Sequence, residues 1–317
     1  MNQRLTPLGQ SGSSKGWILD RRDFLRCSTL ALAGALAGAR LGAAESEGSR
    51  PLRVGLVTDL HYDDREAKGT RFYRESLAKA REAVDRLRTE RVEMLAVLGD
   101  IKDMADREPE AATLGHLVAI EAELQRFGGP TYHVLGNHDM DNLSKAQALA
   151  AITNTGIEPG RSFYAFSRGG VRFVTLDACF TKDGRDYDHG RFDWRDSVVP
   201  ADELGWLERE LKATREPVIV LAHQRLDASG DSYVKNSAEV RAVLEASGKV
   251  LAVFQGHDHA GGYRLVNGIH YYTLKAVVDG SGAENNSYAV LEVHPDFNLT
   301  LTGYRRAVGM TLGRGVN

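Results

Sequence analysis

Five apolar runs of this chain end abruptly in side chains that ligate metals. "VTDLHY" carries Asp59 and His61, "VLGDIKD" Asp100 and Asp103, "VLGNHD" Asn137 and His138, "VLAH" His223, and "VFQGHDH" His257 and His259. Carboxylate, imidazole and amide oxygen make a borderline-hard donor set, suited to Mn, Fe or Zn and poor for Cu(I) or iron–sulfur clusters. Asp-x-His and His-x-His place side chains two apart, on the same side of an extended strand end, so each pair can face one metal region. Gly99, Gly136 and Gly256 immediately precede ligand-type residues, where a missing side chain lets the backbone turn sharply. Asp100 is the natural bridge, because one carboxylate can hold two cations about 3.5 to 4 Å apart, the clamp used in phosphoryl chemistry.

Such a site needs elements that bring distant residues together. From residue 51 the pattern alternates: a β-branched run over 52–60, an amphipathic helix over 70–90, a strand over 92–100, a helix over 111–127 stopped by Gly128, Gly129 and Pro130, and a strand over 131–137. "SFYAFSRGG", "VRFVTLDA", a helix near 201–213 and "PVIVLAH" follow. Asn236 with Glu239 has capping-box spacing for a helix over 237–247, closed by Gly248. "VLAVFQGH", "IHYYTL", "YAVLEV" and "LTLTGY" finish the chain as strands. The pattern predicts an α/β fold, a four-layer α/β/β/α sandwich of two mixed sheets with flanking helices, with the metal site at the carboxyl ends of strands.

Residues 1–44 read differently. Twin arginines Arg21 and Arg22 precede Phe24 and Leu25, then a short Ala/Leu/Gly run and small residues at Gly42, Ala43 and Ala44. That layout predicts a cleavable twin-arginine-type export signal, cut after Ala44, with 45–51 as a short linker and a periplasmic or extracellular destination. No apolar run reaches the length of a permanent membrane span. Six basic and two acidic side chains lie in 1–44, so their removal takes the formal charge from −3 to −7. An acidic surface argues against nucleic-acid binding. Cys27 falls within the signal, which leaves Cys179 alone and excludes an intrachain disulfide after cleavage.

Asp-x-His, Gly-Asp-x-x-Asp, Gly-Asn-His-Asp, a single His and Gly-His-x-His, in that order over residues 52 to 305, resemble the calcineurin-like metallophosphoesterase family. The resemblance implies one cation held by Asp59, His61, Asp100 and His259 and a second by Asp100, Asn137, His223 and His257. It also implies that His138 contacts the phosphate or protonates the leaving oxygen, oriented by Asp103, while a metal-bridging hydroxide attacks phosphorus. Asp139 and Asp258 then stand behind the ligands. The related purple acid phosphatases carry a ligating Tyr three residues after the bridging Asp; here that position is Asp103, which leaves no tyrosinate for iron. "GTRFYRESLAKAREAVD", "VVPADELGWLERELK" and "GHDHAGGYRLVNGIHYYTLKAVVD" are similar to the manganese-dependent ADP-ribose/CDP-alcohol diphosphatase group and its bacterial phosphatase relatives. This implies two divalent ions, manganese first with iron or zinc as alternatives, and a small phosphorylated substrate, with catalysis over 52–317. Diphosphatase, phosphodiesterase and phosphomonoesterase activities all remain open, and substrate choice is expected from loops 61–74, 179–196 and 224–236. A catalytically silent scaffold of the same fold is the alternative from another class; it would have lost ligands, and none is missing. The export machinery would be a partner during secretion. The remaining histidines are expected outside the chemistry: His133 and His270 in strands, His116 and His294 on surfaces, His189 in a loop.

Overall fold

The computed structural model describes residues 50–313, so the expected export signal over 1–44 and most of the 45–51 linker lie outside the described residues. Twelve strands form two six-stranded sheets among these residues. The first sheet is built around β1 (Leu52–Val57), β2 (Met94–Val97) and β3 (Thr131–His133), which run parallel. β10 (Ser287–Val293), β11 (Leu299–Arg305) and β12 (Met310–Leu312) extend it antiparallel on the far side of β1. In the second sheet β5 (Val171–Thr175), β6 (Val218–Leu221), β7 (Val250–Gln255) and β9 (Ile269–Thr273) are parallel. Its edges are the antiparallel β4 (Tyr164–Arg168) and β8 (Gly262–Val266).

Strand alternation explains how the layers stack. Along β1 and β2, Val54, Leu56, Met94 and Ala96 point to one face and pack with Phe173, Ile219, Leu221 and Phe254 of the second sheet. Val57, Leu95 and Val97 point to the other face, onto α1 (Ser76–Thr89) and α2 (Glu110–Gln125). The matching outer face of the second sheet buries Val218, Val220 and Val253 against α4 (Ala201–Ala213) and α5 (Ser237–Ser247). Strands buried on both faces read as continuous apolar runs, as these do. Each helix contributes its buried residues at three- and four-residue steps: Ala80, Ala83, Val84 and Leu87 on α1, Leu207 and Leu211 on α4. The result is the expected α/β/β/α sandwich. Among the described residues no helix is long and apolar enough to cross a membrane.

Two local expectations change. The 70–90 helix begins only at Ser76, after a short 3-10 turn over Tyr73–Glu75. Asn236 precedes α5 but does not cap it: its side chain accepts from Val199 N at 3.0 Å and donates to Val199 O at 2.8 Å, stitching the segment before α4 instead. Gly248 does close α5, in the left-handed conformation at φ 62°. The short α3 (Lys145–Ala151), capped by Ser144 and Gln147, and the strands β8 and β12 carry too little apolar periodicity to stand out in the sequence.

Candidate metal centre

Parallel strands deliver every expected ligand. Asp59 and His61 follow β1, Asp100 follows β2, Asn137 follows β3, His223 follows β6, and His257 and His259 follow β7. The two sheets are tied at this end, because His223 Nδ1 donates to Leu98 O across the sandwich at 2.7 Å.

The side chains face one another, though not by simple strand alternation. Asp59, His61, Asp100 and His257 all have positive φ, at 51°, 47°, 51° and 68°. For non-glycine residues such geometry costs about 1 to 3 kcal/mol each and persists where the surroundings impose it, typically at functional sites. The expectation that Asp-x-His and His-x-His converge through an extended backbone is therefore corrected: left-handed turns aim these side chains. The two histidines of His257-x-His259 consequently diverge toward different partners.

One group contains Asp59, His61 and His259, with Asp100 beside it. His61 Nε2 lies 3.1 Å from His259 Nε2, 3.6 Å from Asp59 Oδ1 and 3.5 Å from Asp100 Oδ2, and His259 Nε2 lies 3.5 Å from Asp59 Oδ1. The second group contains Asp100, His223 and His257. His223 Nε2 is 3.2 Å from Asp100 Oδ2 and 3.3 Å from His257 Nδ1. Donor atoms about 2.1 Å from a shared cation stand about 3.0 to 3.6 Å apart, so both groups have the spacing of a coordination shell. Asp59 Oδ1 and Asn137 Oδ1 are buried without a hydrogen-bond partner, which costs free energy unless a cation satisfies them. The residues fit divalent metal.

The far side of three imidazoles, His61, His223 and His259, is occupied, which fixes the tautomer and leaves Nε2 free. Asp103 Oδ2 holds His61 Nδ1 at 3.0 Å, Asp279 Oδ1 approaches His259 Nδ1 at 3.3 Å, and Leu98 O holds His223. Asp279 is itself positioned by Thr70 Oγ1 at 2.9 Å and by its loop, whose carbonyls at Val277 and Gly280 accept from the buried Lys79 ammonium at 2.9 and 2.5 Å.

The carboxylate behind His138 is not Asp103 but Asp141. His138 Nδ1 is 2.5 Å from Asp141 Oδ2 and 3.9 Å from Asp103 Oδ1. Asp103 is drawn away because it already serves His61, Arg65 at 2.8 Å and Arg71 at 3.3 Å. An i,i+3 pair across the 3-10 turn Asn137–Met140 was the available sequence signal for Asp141. Asp139 supports the loops, accepting from Gly136 N at 2.8 Å and Ile101 N at 2.7 Å, and Asp258 pairs with Arg225 at 2.5 Å.

The glycines are where the backbone closes on the ligands. A Cβ at Gly136 would lie 2.2 Å from Asp100 Oδ1 and 2.3 Å from Asp100 N; one at Gly256 would lie 2.1 Å from Thr58 Oγ1 and 2.7 Å from Asp59 Oδ2. Gly136→Ala is expected to displace Asp100, costing about 1 to 3 kcal/mol of stability together with metal affinity. Thermal unfolding and metal content would both register it; an unchanged metal content would contradict the close approach.

Charge completes the description. Burial opposes ionisation of Asp59 and Asp100, yet His61, His259 and His223 hold Asp59, and His223, His138 and His61 hold Asp100, well below the ordinary range. In return, against the opposing effect of burial, Asp100 raises His61 and pushes His223 up to about 9. Burial and the neighbouring His223 drive His257 down to about 3. Without cations the proton on His223 helps to neutralise the acids, and a ligating imidazole must give its proton up. Adding Mn to chelated protein near pH 7 is therefore expected to release at least one proton per chain, with affinity rising as pH climbs toward about 9. Calorimetry in two buffers of different ionisation enthalpy measures the release; identical heats in both would contradict it.

An open cavity of about 260 Å³ is lined by Arg71, Asp100, Asn137, His138, Trp194, Ser232, His257 and His259. Each of the three loops expected to set substrate choice supplies one wall residue: Arg71, Trp194 and Ser232. Trp194 stands edge-on to His257 at 5.4 Å between ring centroids. The other histidines are held elsewhere: His133 by Glu121 and Asn154, His189 by Asp188, His270 by Gly313 O and His294 by Thr300. His116 departs from its expected surface position, since its side chain is only 15% exposed. Cys179 is a buried free thiol.

Residues 52–261 match the calcineurin-like phosphoesterase family, and the chain belongs to it, as a metal-dependent hydrolase of phosphoric esters or diphosphates. Among its curated relatives is a manganese-dependent ADP-ribose/CDP-alcohol diphosphatase of Oryza sativa, 28% identical, with 78% of this chain and 90% of that protein aligned. A 3',5'-cyclic-nucleotide phosphodiesterase of Nostoc is 27% identical over 78% of this chain and 87% of its own. A crystal structure of a dimetal phosphatase from Danio rerio shares the fold, with a TM-score of 0.71 at 24% identity, covering 83% of this chain and 99% of that one.

Proposed function

We propose that the chain hydrolyses diphosphate bonds of small nucleotide-type substrates at a dinuclear centre that takes manganese first, with iron or zinc as alternatives. One observation carries the reading: Asp100 Oδ2 lies 3.5 Å from His61 Nε2 and 3.2 Å from His223 Nε2, a single carboxylate oxygen between two separate donor groups. Bound cations would supply an activated water nucleophile and neutralise the phosphoryl oxygens. Asp59, His61 and His259 would hold one and Asn137, His223 and His257 the other, with Asp100 shared. His138, protonated and backed by Asp141, donates to the leaving oxygen. Arg71 at the cavity wall offers a guanidinium to a second phosphate, and Trp194 offers a flat face edge to the group beyond it.

The activity for which the Oryza relative is named supports the diphosphatase reading, and that of the Nostoc relative supports a second one, cyclic phosphodiester hydrolysis. Steady-state kinetics with Mn on ADP-ribose, a CDP-alcohol, cyclic AMP and a simple monoester separate them. The highest kcat/KM is expected for a diphosphate; preference for cyclic AMP would transfer the proposal to the second reading, and preference for the monoester would end both. No turnover of any of these or of bis(p-nitrophenyl) phosphate, with metal bound, would favour a silent scaffold.

We further propose that Arg21 and Arg22 send the folded protein through the twin-arginine route and that the exported enzyme recovers phosphate. Folding before export lets the protein load its ions where supply is controlled. Replacing both arginines with lysine should retain the protein in the cytoplasm; undiminished export would sink this part.

A further inference from the structure

A further cluster of ligand-type side chains lies outside the centre described above. Asp63 follows His61 in the loop after β1, Glu108 ends the loop after β2, and His116 sits on α2. His116 Nδ1 is 3.8 Å from Asp63 Oδ1 and 3.6 Å from Glu108 Oε2. Those separations are too long for hydrogen bonds. They lie close to the spacing of donors that share a cation, which stand about 3.0 to 3.6 Å apart.

The cluster is also built rather than loose. The Asp63 side chain is 2% exposed, and its Oδ2 has no hydrogen-bond partner, only the Arg65 Nε charge at 3.2 Å. His116 Nδ1 is likewise buried without a partner, and its ring is held edge-on by Tyr62 at 5.6 Å. Glu108 Oε2 is fixed by Thr113 Oγ1 at 3.1 Å and Ala105 N at 3.4 Å, and Asn142 Nδ2 anchors the Glu108 carbonyl at 2.8 Å. The His116 nitrogen thus faces Asp63 Oδ1 and Glu108 Oε2 with no hydrogen bond of its own, while the other Asp63 oxygen, Oδ2, has only the Arg65 charge beside it, which is costly in a folded protein. Arg65 Nε makes no hydrogen bond there, and its two terminal nitrogens go to Asp103 at 2.8 Å and the carbonyl of Met104 at 2.5 Å. His116 at 15% and Glu108 at 12% exposure leave a way in from solvent.

We propose that Asp63, Glu108 and His116 form a further divalent-cation site, separate from the centre around Asp100, with the oxygen and imidazole donors that suit manganese or zinc and with open positions for water. A cation there would take over from Arg65 in neutralising Asp63. Arg65 would then bind Asp103 more closely, and Asp103 holds the Nδ1 of His61. The site is thereby joined to the metal centre through one guanidinium.

The test is metal stoichiometry of the whole chain, chelated and then titrated with Mn and separately with Zn, read by equilibrium dialysis with elemental analysis. Wild-type protein is expected to bind one ion per chain more than His116→Ala or Glu108→Gln. Asp100→Asn, which should disable the other centre, is expected to keep one Mn with the hyperfine spectrum of an isolated ion, and the double variant Asp100→Asn/His116→Ala to lose it. Equal stoichiometry in wild type and Glu108→Gln, or no ion in Asp100→Asn, would overturn the proposal. Should His116→Ala fail to fold by circular dichroism, Glu108→Gln carries both comparisons. Failure of the dinuclear reading would appear differently, as wild type and Asp100→Asn binding the same number of ions while the His116-dependent ion remains.

Discussion

Asp100→Ala is expected to abolish hydrolysis and to lower the affinity for both ions of the centre at once, whereas loss of any other ligand should weaken one side first. The asymmetry follows from position: among the described residues Asp100 Oδ2 is the only carboxylate oxygen placed against His61 Nε2 on one side and His223 Nε2 on the other. Its other oxygen is not spare, since Asp100 Oδ1 accepts from His138 N at 2.8 Å and so seats the turn carrying Asn137 and His138. Activity should therefore fall beyond the about 10² to 10⁴-fold that a single acid–base group contributes. The fold should survive, because the backbone bonds that register the loop, such as His61 N to Asp100 O at 2.9 Å, need no side chain. Alanine does tolerate φ 51° poorly, so Asp100→Asn is the cleaner variant: asparagine accepts the left-handed region and removes the charge alone. Metal content and circular dichroism, measured together, decide the matter. A variant that keeps both ions would show that the two donor groups do not depend on a shared carboxylate.

Much of this centre could be read from the sequence because strand ends in parallel sheets converge by topology, and because five polar clusters each terminated an apolar run. What could not be read was the orientation of side chains within turns. Asp103 was expected behind His138 since both lie in the matching pattern, but the position of Arg65 and Arg71 beside Asp103, and of Asp141 one turn beyond His138, depends on loop geometry that no periodicity encodes. The same holds for Asp279, which reaches His259 from a strand-following loop pinned by Lys79, a lysine that reads as an ordinary solvated residue of an amphipathic helix but is 2% exposed. Asn236 illustrates the opposite failure, a local signal that was present but outcompeted: its amide makes two bonds to the Val199 backbone instead of capping α5. His116, too, is expected on the surface, yet its burial depends on what the loops after β1 and β2 lay over it.

His138→Ala is expected to leave metal content unchanged and to lower kcat by about 10² to 10⁴-fold. Burial disfavours the imidazolium of His138, but Asp100, Asp141 and Asp103 outweigh it and push the group up to about 9. A proton donor is thus charged and ready at neutral pH, and kcat should fall as pH rises through its pKa. Cations bound beside Asp100 absorb part of that carboxylate's field, so in the loaded enzyme the alkaline limb should lie below about 9. Asp141→Asn should move the limb further down with a smaller loss of rate, because Asp141 both raises the pKa and orients the ring through Nδ1. Asp103→Asn should instead weaken metal binding, since Asp103 holds the ring of His61. The same shift bears on stability in the ion-free protein: with a folded pKa above the unfolded value of about 6.5, the His138 contribution is fully present below that value and is lost as pH rises through about 9. The pH profile of kcat for the three variants, beside their metal contents, separates these roles. An alkaline limb that persists unchanged in His138→Ala would assign the proton to another group, and loss of metal in that variant would make His138 a ligand.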